Sequence, residues 1–151
     1  MVRMAILFRF IPLIKEKKKM HELIEIIENE STRFVKLKNV NTCAVEKCFD
    51  DSAVVSSNNF DFMRIGQQYE CKIKLFGTPV DELRDNCVIC WLVDKNIIIG
   101  QKAMVEVKVN NNIYYIIRQK VKDYLNDDFF YFKFTRKDLI QVNDIIHADL
   151  L

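Results

Sequence analysis

The groups best able to do chemistry in this chain are its five cysteines, its two histidines, two aspartate pairs, and tyrosines mixed with lysine and arginine in the last third. Cys87-Val88-Ile89-Cys90 has the C-x-x-C spacing of zinc knuckles and redox pairs, which hold both sulfurs on one side of a turn. Here the motif falls in an apolar run that reads as a strand, where residues three apart point to opposite faces. Buried structural thiols are therefore the expectation, and a metal site shared among Cys43, Cys48, Cys87 and Cys90 is the alternative. His21 and His147 lie in no recognised ligand spacing, and each is expected at the surface or on an edge strand. A Cys/His or Ser/His pair assembled in space stays open, because such sites are defined by geometry and not by chain order. Asp50-Asp51 and Asp127-Asp128 could serve as paired carboxylates toward a proton or a cation. Their flanks read as turns, so solvated turn aspartates are expected.

The aromatic and basic mixture comprises Tyr114, Tyr115, Arg118, Lys120, Lys122, Tyr131 and Lys133. Proteins that bind single strands use such combinations, because bases stack on aromatic faces while cations follow the phosphates. Tyr131 and Lys133 share one face of the run Phe129 to Phe134, as that use requires. The competing expectation is that the rings are core and the lysines protect strand edges from mispairing. Some chemistry is excluded outright. Gly66, Gly77 and Gly100 are the only glycines, so neither a P-loop nor a dinucleotide fingerprint can be built, since both need clustered glycines for close approach to phosphate. No bound cofactor is expected.

The 151 residues suit one ordinary domain, and half are apolar with charges of both signs, the composition of a folded chain. Five cysteines cannot all pair within one chain, and free thiols in a reducing, cytoplasmic compartment are the natural reading. Residues 1–19 stand apart. Arg9 interrupts their apolar run and no small-residue cleavage site follows, which argues against a signal peptide. The run is also far short of the roughly 20 apolar residues that a membrane-spanning helix needs. Lys15 to Lys19 is encoded by purines alone, directly before the Met20 codon, as in a bacterial ribosome-binding site translated by mistake. Residues 1–19 are thus expected to be a mis-called flexible extension and 20–151 the domain, with a basic arm for a membrane surface as the alternative. Removing the six basic residues and one acid of that segment from totals of 23 and 21 leaves 17 against 20, or net −3. A mildly acidic domain has no general pull on nucleic acid.

The elements that must position these groups are strands. Tyr69, Cys71, Ile73 and Leu75 alternate with charged residues, as do Val105, Val107 and Val109, and Val35 with Leu37. Val88 to Val93 and Phe129 to Phe134 are continuously apolar or aromatic and read as central strands covered on both faces. Asn41-Thr42, Asp94-Lys95-Asn96, Asn110 to Asn112 and Asn126 to Asp128 read as turns, since Asn and Asp tolerate left-handed backbone. Met20 to Glu28 fits helix or strand; strand is preferred because it forms a hairpin with Phe34 to Val40. Val80 to Arg84 is expected to form a helical turn, and Thr135 with Asp138 to cap another.

Eight or nine short strands joined by short links give an all-β, antiparallel small barrel or two-sheet sandwich with only short helical turns. Ile65 to Leu75, a Gly-polar turn launching a long alternating strand, resembles the cadence of OB-fold barrels. The leading functional expectation is a non-catalytic interaction domain offering a strand edge or loop surface to a protein partner or to another copy of itself. A single-strand nucleic-acid binder using Tyr114 to Lys133 is the alternative, and an enzyme with a cryptic Cys or His nucleophile is a third.

Overall fold

Alternation of apolar and polar residues becomes strand almost everywhere it occurs. The structure, a computed structural model, describes residues 20–151, and the expectation for residues 1–19 lies outside the described residues. Among the described residues nine strands follow in order: β1 (Met20–Glu28), β2 (Arg33–Asn39), β3 (Val45–Asp50), β4 (Gln68–Val80), β5 (Val88–Ile99), β6 (Lys102–Val109), β7 (Asn112–Ile117), β8 (Phe129–Val142) and β9 (Ile145–Ile146). One helical turn, α1 (Ser52–Val55), follows β3, and 3₁₀ segments occupy Arg118–Tyr124 and Ala148–Leu150. The all-β reading therefore holds. Met20 to Glu28 is a strand paired with β2, as the hairpin argument required. No described helix is long and apolar enough to cross a membrane.

The sheet closes on itself, so the barrel form prevails over the sandwich. Its spine is a long antiparallel ribbon of β4 and β8, paired from Cys71↔Val142 to Val80↔Tyr131. At one end of the ribbon, β1 pairs antiparallel with β4, β2 with β1 and β3 with β2, and β3 meets β8 in parallel at Phe49↔Asp138. β7 meets β4 in parallel at Lys74↔Tyr115, level with that bridge because Lys74 pairs with Asp138, and β6 and β5 lead back antiparallel to β8 at the other end of the ribbon. Two rings of strands thus share one wall. Leu23, Val35, Leu37, Cys48, Ile73 and Leu75 of the first ring pack into a continuous core with Cys90, Val107, Tyr114, Phe130 and Phe132 of the second. A smaller core of Ile99, Met104, Tyr115, Ile140 and Leu150 lies on the opposite face, where the C-terminal residues fold back.

Several local expectations give way to this topology. Asp94-Lys95-Asn96 is not a hairpin turn; β5 runs through it with register shifts, and the chain reverses at Gly100, at φ 61°. A Cβ at Gly100 would sit 2.3 Å from the Leu150 carbonyl oxygen, so the C-terminal fold-back requires glycine there. Thr135 and Asp138 cap no helix, because pairing with β4 holds β8 extended through both. Val80 ends β4, and residues 81–84 hold a bend at 81–82 and no helical turn. The Asn110-Asn111 turn has the positive φ angles expected of it, 48° and 69°.

The largest departure concerns β5, read from sequence as covered on both faces. Its outward row is open: Ile89, Trp91 and Val93 are 36%, 51% and 52% exposed, while Cys90 between them is buried. A barrel wall has one interior, and no layer packs over this stretch of β5, so a continuously apolar strand must leave one row outside.

Candidate functional site

The outward face of the ribbon and its neighbouring strands carries the candidate site. It begins at Trp91, the chain's only tryptophan. Trp91 pairs in register with Phe129 of β8, with ring centroids 4.8 Å apart, and Phe129 lies 5.7 Å from Tyr131, edge to face. Strand alternation then sets Lys133 on the same face beyond Tyr131, opposite Thr78 of β4. Arg136 follows, held outward because a register shift at Phe76/Gly77 skips Thr135 and restores the alternation.

Arg136 links the two halves of the face. Its guanidinium carbon lies 4.7 Å from the ring centre of Phe76 and 4.5 Å from that of Phe49, both within cation–π range. Phe49 in β3 pairs in register with Phe34 in β2, with ring centroids 5.5 Å apart, and Lys47 Nζ sits 4.7 Å over Phe34. Lys120, on the 3₁₀ segment, lies 4.6 Å over Phe76 and donates to the Gly77 carbonyl. The result is a row of rings interspersed with cations: Trp91, Phe129, Tyr131, Lys133, Arg136 with Phe76, then Phe49, Phe34 and Lys47. Strand rise and spacing give it a length of roughly 30 Å.

The electrostatics of the row are mixed but mainly positive. Asp138 binds Arg136 through both carboxylate oxygens, at 2.5 and 3.2 Å, and lies 3.6 Å from Lys74 Nζ. The Asp138 hydrogen bond raises the Arg136 pKa further above the ordinary arginine value. Lys36 is 3.4 Å from Glu25 and directly opposite Lys47 across β2 and β3. Like charges so placed repel. Among the described residues Lys47 and Lys133 have no carboxylate partner.

The sequence-derived candidates divide. Tyr131 and Lys133 lie on the row and Lys120 beside it. Tyr114 points inward and is buried; burial first, then a hydrogen bond to Glu46, push its hydroxyl pKa up. Arg118 donates to the Lys95 carbonyl away from the row, and Lys122 is an exposed 3₁₀ residue. Sequence reasoning missed Trp91, Phe129, Phe76, Arg136, Phe49, Phe34 and Lys47 as site residues. A signal was present for three of them: Phe34, Phe49 and Phe76 each occupy the polar register of an alternating strand, beside Lys36, Lys47 and Lys74.

The metal and catalytic candidates also find their places. Cys48 and Cys90 are buried and Cys43 is an exposed turn residue at φ 63°. Cys87 precedes β5 instead of lying within it, its amide donating to the Arg84 carbonyl. Burial pushes the Cys90 thiol up to about 12 and raises that of Cys48 well above the ordinary value. Both histidines are buried, contrary to the surface expectation. The reason for His147 is explicit: its Nε2 lies 2.6 Å from Asp51 Oδ1 and its Nδ1 accepts the Asp149 amide at 3.0 Å. Asp51, His147 and Asp149 do cluster at metal-ligand reach. Both ring nitrogens are nevertheless committed to holding the C-terminal segment on the β3–α1 junction. Asp50 is likewise no solvated turn residue, for its carboxylate is buried against Arg33 Nε at 2.7 Å. Asp127 and Asp128 are exposed, as expected.

No protein family, characterised protein or solved structure matches this chain.

Proposed function

We propose that the protein binds single-stranded nucleic acid along the outward row, non-catalytically, with bases stacked on Trp91, Phe129 and Tyr131 and phosphates drawn to Lys133, Arg136 and Lys47. The observation that carries this reading is the run of exposed and half-buried rings interspersed with cations on one face. Stacking accepts any base and cations follow any backbone, so the expected binding is tolerant of sequence and sensitive to salt. The first ring adds support. Its order, β1–β2–β3–β8–β4 with a parallel closure between β3 and β8, resembles the OB-type barrel, whose second and third strands commonly meet oligonucleotides. Phe34, Lys36, Lys47 and Phe49 are among the outward residues of those two strands. Local charge outweighs the acidic balance of residues 20–151, because the screening length in physiological salt is about 8 Å. Free thiols fit a reducing cytoplasm as the place of action.

Trp91 supplies its own reporter. Titrating the protein with fluorescein-labelled single-stranded DNA and RNA at low salt is expected to quench tryptophan fluorescence saturably and raise anisotropy, with both effects lost at high salt. Trp91→Ala with Phe129→Ala, read by anisotropy, is expected to weaken binding by about ten-fold or more. Unchanged fluorescence and anisotropy with both nucleic acids at micromolar protein removes the reading.

A second reading rests on Ile89 and Val93, the aliphatic neighbours of Trp91, which base stacking does not use. Together with Trp91 they form an exposed apolar patch of the kind that meets a protein partner or a second copy. Under that reading light scattering shows a dimer or a stable complex that Trp91→Ala dissolves, with no salt-sensitive oligonucleotide binding.

A further inference from the structure

We propose a second binding site, distinct from the aromatic row: a slot beside β1 that accepts an extended, basic peptide segment as an added strand. The barrel wall is incomplete there. β1 pairs with β4 only from Met20 to Glu22, and its last bonds toward that side run between Leu23 and residues Gly66 and Gln67. β1 then continues to Glu28, paired with β2 alone, while the chain before β4 diverges from it. Among the described residues no backbone bond covers the free edge of Ile24 to Glu28. Five residues of open edge, about 17 Å, are enough to pair with a short extended segment.

The gap is a cleft of about 540 Å³. Ile26 and Ala53 supply apolar surface to it, the buried Met63 lies behind them, and Ile65, 60% exposed, stands at its rim. Its charged lining consists of Glu28, Glu30, Asp50 and Asp61 against Arg33 and Arg64. Arg33 is already engaged by Asp50 and by the Phe60 carbonyl, and Arg64 donates to the carbonyls of Asp61 and Met63. Glu28 and Glu30 are exposed and Asp61 lies 3.9 Å from Arg33, so the rim presents excess negative charge. An incoming strand can satisfy the β1 backbone groups while its lysine or arginine side chains meet that rim.

Edges are often only shielded, by bulges and charges, against unwanted pairing, and β1 has a register shift between Leu23 and Glu25. A purely protective edge has no need of a cleft beside it, and the test separates the two. Full-length isotope-labelled protein is titrated with two heptapeptides of equal charge, one of alternating Lys and Val, the other of alternating Lys and Pro. Proline cannot donate the ladder hydrogen bonds. The Lys-Val peptide is expected to shift the amide resonances of residues 24–28 and slow their hydrogen exchange, and the Lys-Pro peptide to do neither. Combining Glu28→Gln, Glu30→Gln and Asp61→Asn is expected to weaken the Lys-Val peptide about ten-fold. Equal binding of both peptides, shifts confined to other strands, or no shifts at all would each overturn the slot. Oligonucleotide binding through the aromatic row is measured separately and stands or falls on its own.

Discussion

Lys137 and Glu46 form a 2.7 Å ion pair facing inward where the two rings meet, with the Glu46 side chain only 5% exposed. Lys137 also lies over the rings of Tyr114 and Phe134, at 5.3 and 5.5 Å, so its alkyl stem fills space that a smaller residue would leave empty. Removing one partner of such a pair leaves an uncompensated buried charge. Lys137→Met is expected to destabilise the protein by about 3 kcal/mol in chemical denaturation, and Glu46→Gln added to it to restore part of that loss. An unchanged midpoint for the single variant would mean that water reaches Glu46 and solvates it. This pair was not legible in sequence. Lys137 stands one residue past the register shift that also turns Arg136 outward, and no local pattern announces which of two adjacent cations goes inside.

At the scale of elements, the β4–β8 ribbon governs both rings, and Gly77 is its tightest point. A Cβ there would sit 2.0 Å from the Lys133 carbonyl oxygen and 2.6 Å from the Phe134 Cα, both backbone atoms that cannot move aside singly. Gly77→Ala is therefore expected to cost at least about 3 kcal/mol, or to prevent folding, as read by circular dichroism and thermal melting. Gly66 offers the contrast, for a Cβ there meets nothing within 4 Å and only its φ of 90° resists substitution. Strand identity was readable for β2, β4 and β6, because alternation with a period of two needs only one buried face to be visible, and for β1 only through the hairpin it forms with β2. The fate of β5 was not, because a continuously apolar run reads the same whether one face or both are covered. The expected helix cap at residues 135–138 failed because sheet pairing outweighs weak local capping preferences.

For the molecule as a whole, the buried thiols and phenols set a pH limit. Burial pushes Cys71 and Cys90 from 9.0 up to about 12, and moves Tyr114 and Tyr115 upward as well. Each group is protonated in the folded state at a pH where the unfolded chain has already lost the proton. Their contribution is thus fully present below about pH 9 and declines as pH rises from 9 toward 12. Denaturation midpoints are expected to fall across that window, with tyrosine absorbance reporting late ionisation of the buried rings. A midpoint flat to pH 11 would show that these groups ionise without unfolding.

Composition and period-two patterning alone were sufficient for an all-β chain, for the buried faces of its alternating strands, and for the absence of glycine-built phosphate loops. These properties depend on neighbours within a few residues, so they survive without knowledge of the fold. They were not sufficient for the long links over residues 51–67 and 118–128, which depart from the short connections expected. Closure into two rings was decided only in three dimensions, because β3 meets β8 and β4 meets β7 across long stretches of chain. So was the gathering of Trp91, Arg136, Phe49 and Phe34 onto one face, since four different strands supply them. The same holds for His147, whose two ring nitrogens are taken up by Asp51, far away in sequence, and by the amide of its near neighbour Asp149.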